Sequence, residues 1–205
     1  MIRIVRSILI LLLPLAIAFA SCSGAPKHPA ELASADSLNR SMISIDSVFR
    51  RIDTVAVRKA YEKITYSLGY IQYNLKDTLP REEGLFLSGF YYVRRPLGIC
   101  TKAAKELRQK IKEELTQCGN LAHDLRHNTL SEKLDPKTCI RKEREHVMAL
   151  AASAGTLAPA VFQAMKTYEE KFSGVQTKVD ELKAKGGKEP PGSYTKKNEG
   201  DGDAD

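Results

Sequence analysis

The stretch Val161–Leu182, VFQAMKTYEEKFSGVQTKVDEL, carries the reading of the fold. Its apolar set is Val161, Met165, Tyr168, Phe172, Val175, Val179 and Leu182, with gaps alternating between four and three residues. Since 3.6 residues complete one helical turn, that alternation puts the whole set on one side of an α-helix. Held over about three heptads, it is a seam that packs on other helices, either of this chain or of a second one. The period-two alternation of a half-buried strand is sustained nowhere in the chain. The expectation is an all-α protein, a bundle of about five helices whose last member is long and amphipathic.

The other helices follow outward from the seam. Asp135 and Pro136 suit a helix start, and Ile140, Glu143, Val147, Leu150 and Ala154 then recur on one face up to Gly155. Thr101 is placed to cap a helix with Ala104, Leu107, Ile111, Leu115 and Cys118 inward. A helix with Phe86, Leu87, Phe90 and Tyr91 precedes it, and RRPLG (residues 94–98) reads as its stop. The first helix is expected over about 53–76, with Val57, Tyr61, Ile64, Leu68, Ile71 and Leu75 inward. The helical domain is therefore expected over residues 41–184. The tail 185–205 is rich in Gly, Pro and charge, and is expected to be disordered.

The N-terminus reads as a targeting signal. Arg3 and Arg6 precede an apolar run from Ile8 to Ala18, broken only by Pro14 and too short to span a bilayer. AFASCSG (residues 18–24) then permits two cuts, an ordinary one after Ala20 or a lipoprotein cut after Ser21 that leaves Cys22 to be acylated. The second is preferred, giving a signal peptide over 1–21 and a flexible tether over 22–40. Two or three acyl chains, each contributing about 0.8 kcal/mol per buried CH₂, anchor a protein stably. By resemblance to bacterial lipoproteins, Ser23 after the cysteine favours the outer membrane, with the body facing the periplasm.

Composition narrows the function classes. Loss of Arg3 and Arg6 with the leader reduces the formal charge from +7 to +5. The basic residues are dispersed among glutamates on helical faces, which excludes nucleic acid as the expected partner. Protein clients or an envelope complex, and the membrane itself through Cys22, are expected instead. No nucleophile elbow, phosphate loop or CxxC pair is present, so no catalytic residue, cofactor or metal is assigned and enzymatic activity is not expected. His123 and His127, four apart in HDLRH, have the spacing of helical zinc ligands, but the expected reading is a solvated pair. Glu113–Glu114 and Glu169–Glu170 are adjacent, so their side chains diverge, and they read as surface.

With Cys22 acylated, Cys100, Cys118 and Cys139 remain. Cys100 and Cys118 bracket one helix and would lie roughly 27 Å apart, whereas a bridge needs Cα atoms within about 7 Å. Cys118–Cys139 is the preferred bridge and Cys100–Cys139 the second. Three buried free thiols are the alternative.

The segment 53–118 resembles the helical N-terminal dimerisation domain of FKBP-type peptidyl-prolyl isomerases. The resemblance rests on Ile64, Thr65, Tyr66, Ser67, Leu68 and Gly69, then Leu75–Lys76, then Phe86, Gly89 and Phe90, then Thr101. It implies a homodimeric, chaperone-like module without the catalytic domain. The contact surface proposed from it is Tyr66, Tyr70, Tyr73, Phe86, Phe90 and Tyr91. Gly69 and Gly89, costly inside helices, are expected at close helix crossings. A structural or assembly subunit, paired through the seam Val161–Leu182, is the competing reading.

Overall fold

The computed structural model describes residues 25–75 and 78–191. Cys22, the expected signal peptide and the tail beyond residue 191 lie outside the described residues. Those residues form four α-helices and no strand: α1 (Pro29–Arg50), α2 (Thr54–Asn74), α3 (Arg81–His127) and α4 (Pro136–Ala184). The all-α class stands. The segmentation and both terminal boundaries differ from expectation.

Two of the expected helix stops are absent. α3 runs straight through Pro96 and α4 through Gly155 and Pro159. An internal proline lacks the N–H that would bond the carbonyl four residues earlier, and costs about 3 kcal/mol. At Pro96 that carbonyl belongs to Tyr92, and at Pro159 to Gly155, both on solvent-exposed residues where water can serve it. The flanks then favour continuity. Val93, Leu97 and Cys100 are buried around Pro96, and Ala154, Ala158 and Val161 around Pro159. Each large side chain fully buried contributes about 1.5–3 kcal/mol, enough to offset one missing hydrogen bond. Thr101 is accordingly not a cap, since its hydroxyl donates to the Leu97 carbonyl inside α3.

The expected flexible tether over 22–40 is corrected from residue 29 onward, because it enters α1. Ala35, Met42 and Phe49 repeat every seven residues and are all buried. The serines between them mask this sparse stripe by giving the segment a linker composition. Ser34 and Ser41 return their hydroxyls to the carbonyls of Ala30 and Ser37, as helical serines can. Asp135 caps its helix as expected, and Asp53 caps α2. Asp53 Oδ1 accepts from the N–H groups of Val55 and Ala56, and Asp135 Oδ2 accepts from Thr138 N–H at 3.0 Å and its hydroxyl at 2.7 Å.

The chain divides into two compact units. One comprises residues up to Ser44 with Ile111–Ala149. There Ala35 of α1, Leu121, Ala122 and Leu125 of α3, and Ile140 of α4 share a core edged by Leu32, Leu38, Leu130 and Cys139. Arg126 of α3 meets Asp36 of α1 at 2.7 Å.

The other unit comprises Ile45–Lys110 and the chain from Leu150. It buries Phe49, Ile64, Leu68, Tyr70, Leu97, Val161, Val175 and Val179. The seam that opened the reading is thus part of the core of its own unit. Val161, Val175 and Val179 of the seam are buried, whereas Met165, Tyr168, Phe172 and Leu182 are half-buried. Lys178 of α4 pairs with Glu83 of α3, and Arg108 Nη2 donates to the Ile52 carbonyl at 2.7 Å, holding the turn between α1 and α2.

The C-terminal boundary is also corrected. α4 ends in a Schellman turn, with Gly187 N–H bonded to Leu182 O and Gly186 N–H to Lys183 O. Gly186 has φ +82°, the left-handed conformation that only glycine adopts without strain. The chain then lies on α2. Lys188 N–H donates to Asn74 Oδ1 at 2.7 Å, Asn74 Nδ2 to Lys188 O at 2.8 Å, and the Tyr66 hydroxyl to Glu189 Oε1 at 2.8 Å. The expected disordered tail therefore does not begin at residue 185.

The crossing expected at Gly89 lies elsewhere. A Cβ on Gly89 would meet nothing within 4 Å, whereas one on Gly98 would sit 2.8 Å from Tyr61 Cε2. Gly98→Ala is predicted to lower stability by about 1–3 kcal/mol through overpacking. Gly89→Ala should raise it by up to about 1 kcal/mol through helix propensity. Urea unfolding followed by circular dichroism measures both, and equal effects would contradict these placements.

Candidate functional site

The six aromatic residues singled out from the sequence divide into core and surface. Tyr70 and Phe90 are only 1% and 2% exposed, so they hold the fold together and cannot meet a partner directly. Phe90 makes edge contacts with Phe86, at 5.5 Å between ring centres, and with Phe172, at 6.2 Å. Tyr66 is half-buried beneath the chain after α4. Lys183 lies over its ring and over that of Tyr70, at 5.6 and 5.3 Å. Burial first, then the Glu189 carboxylate, push the Tyr66 phenol upward. Tyr73, Phe86 and Tyr91 keep open surface, and the guanidinium of Arg94 covers Tyr91 at 5.2 Å.

The surface that does present itself runs beside this set. Leu85, Tyr92 and Ile99 are 62%, 79% and 49% exposed, and stand seven residues apart on α3. Seven residues nearly close two turns, so the three form a row along the helix. At its C-terminal end Ile99 opens into a groove of about 440 Å³, lined also by Pro96, Ala103, Leu107, Leu157 and Ala160. Between Glu83 and Glu106 there is no acidic residue, while Arg94, Arg95, Lys102 and Lys105 fall in that interval. Of these, Arg95 and Lys102 fall beside the row, Arg94 and Lys105 on the far side of the helix, and Glu106 and Lys110 line the groove, so an apolar row with one basic border is available to another molecule.

A second constellation lies in the other unit and was not assembled from the sequence. Glu114 of α3 is only 7% exposed, contrary to its expected surface placement. It meets the Glu143 carboxyl and the imidazole of His146, both on α4. Glu114 Oε2 is 3.4 Å from His146 Nδ1, and Glu114 Oε1 accepts from the Cys118 thiol at 3.7 Å. One potential ligand atom from each of Glu114, Glu143 and His146 lies within 4.8 Å of the others. Glu143 Oε2 is shielded from solvent and has no hydrogen-bond partner.

Burial above all, with help from Glu143, pushes the Glu114 carboxyl up to about 8. Burial and then the nearby Glu114 and Glu143 push the Cys118 thiol up to about 12. The signals for this site were in the sequence. Glu143 interrupts an apolar helical stripe, His146 follows it by three residues, and Cys118 marks the inward face on which Glu114 also lies.

The remaining candidates separate cleanly. His123 and His127 are exposed, with ring centres 4.4 Å apart. Cys100, Cys118 and Cys139 are free thiols, which corrects the expected Cys118–Cys139 bridge. Cys118 and Cys139 are each one turn closer to the α3–α4 connection than Glu114 and Glu143, but the Cys118 thiol is turned toward Glu114. Cys139 packs against the Leu121, Leu125 and Ile140 core.

No protein-family model matches the chain, and no curated protein or solved structure is similar to it. The sites therefore carry the functional argument by their own chemistry.

The raised carboxyl predicts a pH dependence. Folded Glu114 keeps its proton to about pH 8, whereas the unfolded chain releases it near the ordinary value of 4.5. Between those values the folded state binds more protons, so its stability falls as pH rises. In chelator-containing buffer, thermal unfolding of Glu114→Gln should depend less on pH than the wild type between pH 5 and 8.5, and the variant should gain on it toward pH 8.5. Parallel pH profiles would show that Glu114 is charged in the fold.

Proposed function

We propose that the protein is an envelope lipoprotein whose helical body binds an apolar helical segment of a partner protein. The observation that carries this reading is the exposed row Leu85–Tyr92–Ile99, with Arg95 and Lys102 beside it and a groove at its end. Large apolar side chains left in water at heptad spacing complement the apolar face of another helix. Arg95 and Lys102 beside the row favour an acidic flank on that partner. The likeness of residues 53–118 to the isomerase N-domain supports chaperone-like capture of clients. It supplies no catalytic residue. Acylation of Cys22 would hold the module at the outer membrane, facing the periplasm.

Two measurements test this. In the full mature chain, a labelled amphipathic peptide with glutamate flanks should bind at least about tenfold more tightly than its lysine-flanked counterpart, read by fluorescence anisotropy. Added salt should erode the difference. Tyr92→Glu with Ile99→Glu should abolish binding with the helical circular dichroism unchanged, since both side chains are exposed. Equal affinity for the two peptides, or a dimer in sedimentation that this double variant dissolves, would overturn the assignment of the row. Separately, Cys22→Ser should move the protein from the membrane to the soluble fraction. If it does not, the lipid anchor is excluded.

A further inference from the structure

The carboxylate and imidazole cluster owes nothing to the exposed row and calls for an account of its own. α3 supplies Glu114. On α4, Glu143 and His146 are three residues apart, which sets both on one helix face. A glutamate from one helix facing a Glu-x-x-His pair on its neighbour is a donor arrangement that helical bundles use to hold metals. The potential ligand atoms lie within 4.8 Å of one another. Metal–ligand distances of about 2.0–2.2 Å place the donors of one ion roughly 3–4 Å apart, so small side-chain rotations would complete a shell.

The polar accounting points the same way. A buried acceptor without a partner is costly, and with Glu114 ionised Glu143 Oε2 would be one. Two converging carboxyls add to that cost unless a proton or a cation lies between them. The imidazole gives the cluster a nitrogen donor, which a set of acidic residues alone would lack. The Cys118 thiol donates to Glu114 Oε1 and orients it, as outer partners of metal ligands do. The His146 side chain is 62% exposed, so the cluster is open on that side to an entering ion and to a water ligand.

We propose that Glu114, Glu143 and His146 form a binding site for one divalent first-row transition cation of the zinc or iron(II) class. The imidazole favours such an ion over calcium or magnesium, which take oxygen ligands. Three protein donors with a side open to water leave room for an exchangeable ligand.

The test uses the full mature chain, stripped with chelator and titrated with Co²⁺ and with Zn²⁺. Near-stoichiometric uptake of one ion per chain is expected, with a rise in melting temperature. Glu143→Gln and His146→Ala should each weaken binding by about 10-fold or more and remove that rise. His123→Ala with His127→Ala should leave binding intact. The metal-free melting curve of Glu143→Gln, which keeps the size of the side chain, shows whether the variant is folded. Absence of uptake by the wild type, binding that survives in folded Glu143→Gln, or binding that follows His123 and His127 would each overturn the site.

Discussion

Proline 96 withholds one backbone N–H from the middle of α3, and the helix continues regardless. Its continuity depends on which way the unpaired carbonyl faces. Tyr92 carries that carbonyl and is the most exposed large apolar residue described, so water can take the place of the missing donor. The opposite side of the same turns holds Val93, Leu97 and Cys100, all buried. A break at residues 94–98 would leave this burial without a rigid support. α4 applies the same rule at Pro159, where the freed carbonyl belongs to exposed Gly155. Long helices thus accommodate proline where the lost bond faces water and the apolar flanks face the core. The same geometry exposes Tyr92 and Ile99 on the outer side of α3.

How far the sequence was legible follows from that rule. The seam Val161–Leu182 and the faces led by Ile64 and Ile111 were readable because large apolar residues repeat at helical period. The cap at Asp135 was readable because its chemistry is local. Continuity through Pro96 and Pro159 was not, since proline's cost is local and its compensation comes from packing. α1 was missed for a different reason. Its buried row has one inward residue per heptad, Ala35, Met42 and Phe49, among residues of linker composition. Gly98 and Gly174 were not singled out, although each faces an aromatic ring, Tyr61 and Phe86 respectively, that would stand less than 3 Å from a Cβ at that position. No pattern in the neighbouring residues marks which ring will cross which glycine.

The Glu114 cluster shows another limit. Each member was visible, but adjacent acids on an amphipathic helix usually diverge into solvent, and Glu113 does so. Glu114 turns inward one position later. The facing partners come from α4, and their register is set by the connection between the helices rather than by either helix alone. Conversely, His123 and His127 have a spacing that sequence patterns emphasise, yet both rings remain at the surface. Spacing along one helix shows what could converge. The register between two helices decides what does.

The clasp after α4 defines the end of the fold in a way that helix boundaries do not. Asn74 reads the main chain of Lys188 on both its donor and its acceptor side, and Tyr66 binds the Glu189 side chain. Among the described residues, the contacts of the fold therefore reach Glu189, past the helix end at Ala184. An expression boundary drawn at the last helical residue would leave the Asn74 amide and the Tyr66 phenol without these partners, and would remove Gly186 and Gly187, the two residues that turn the chain back.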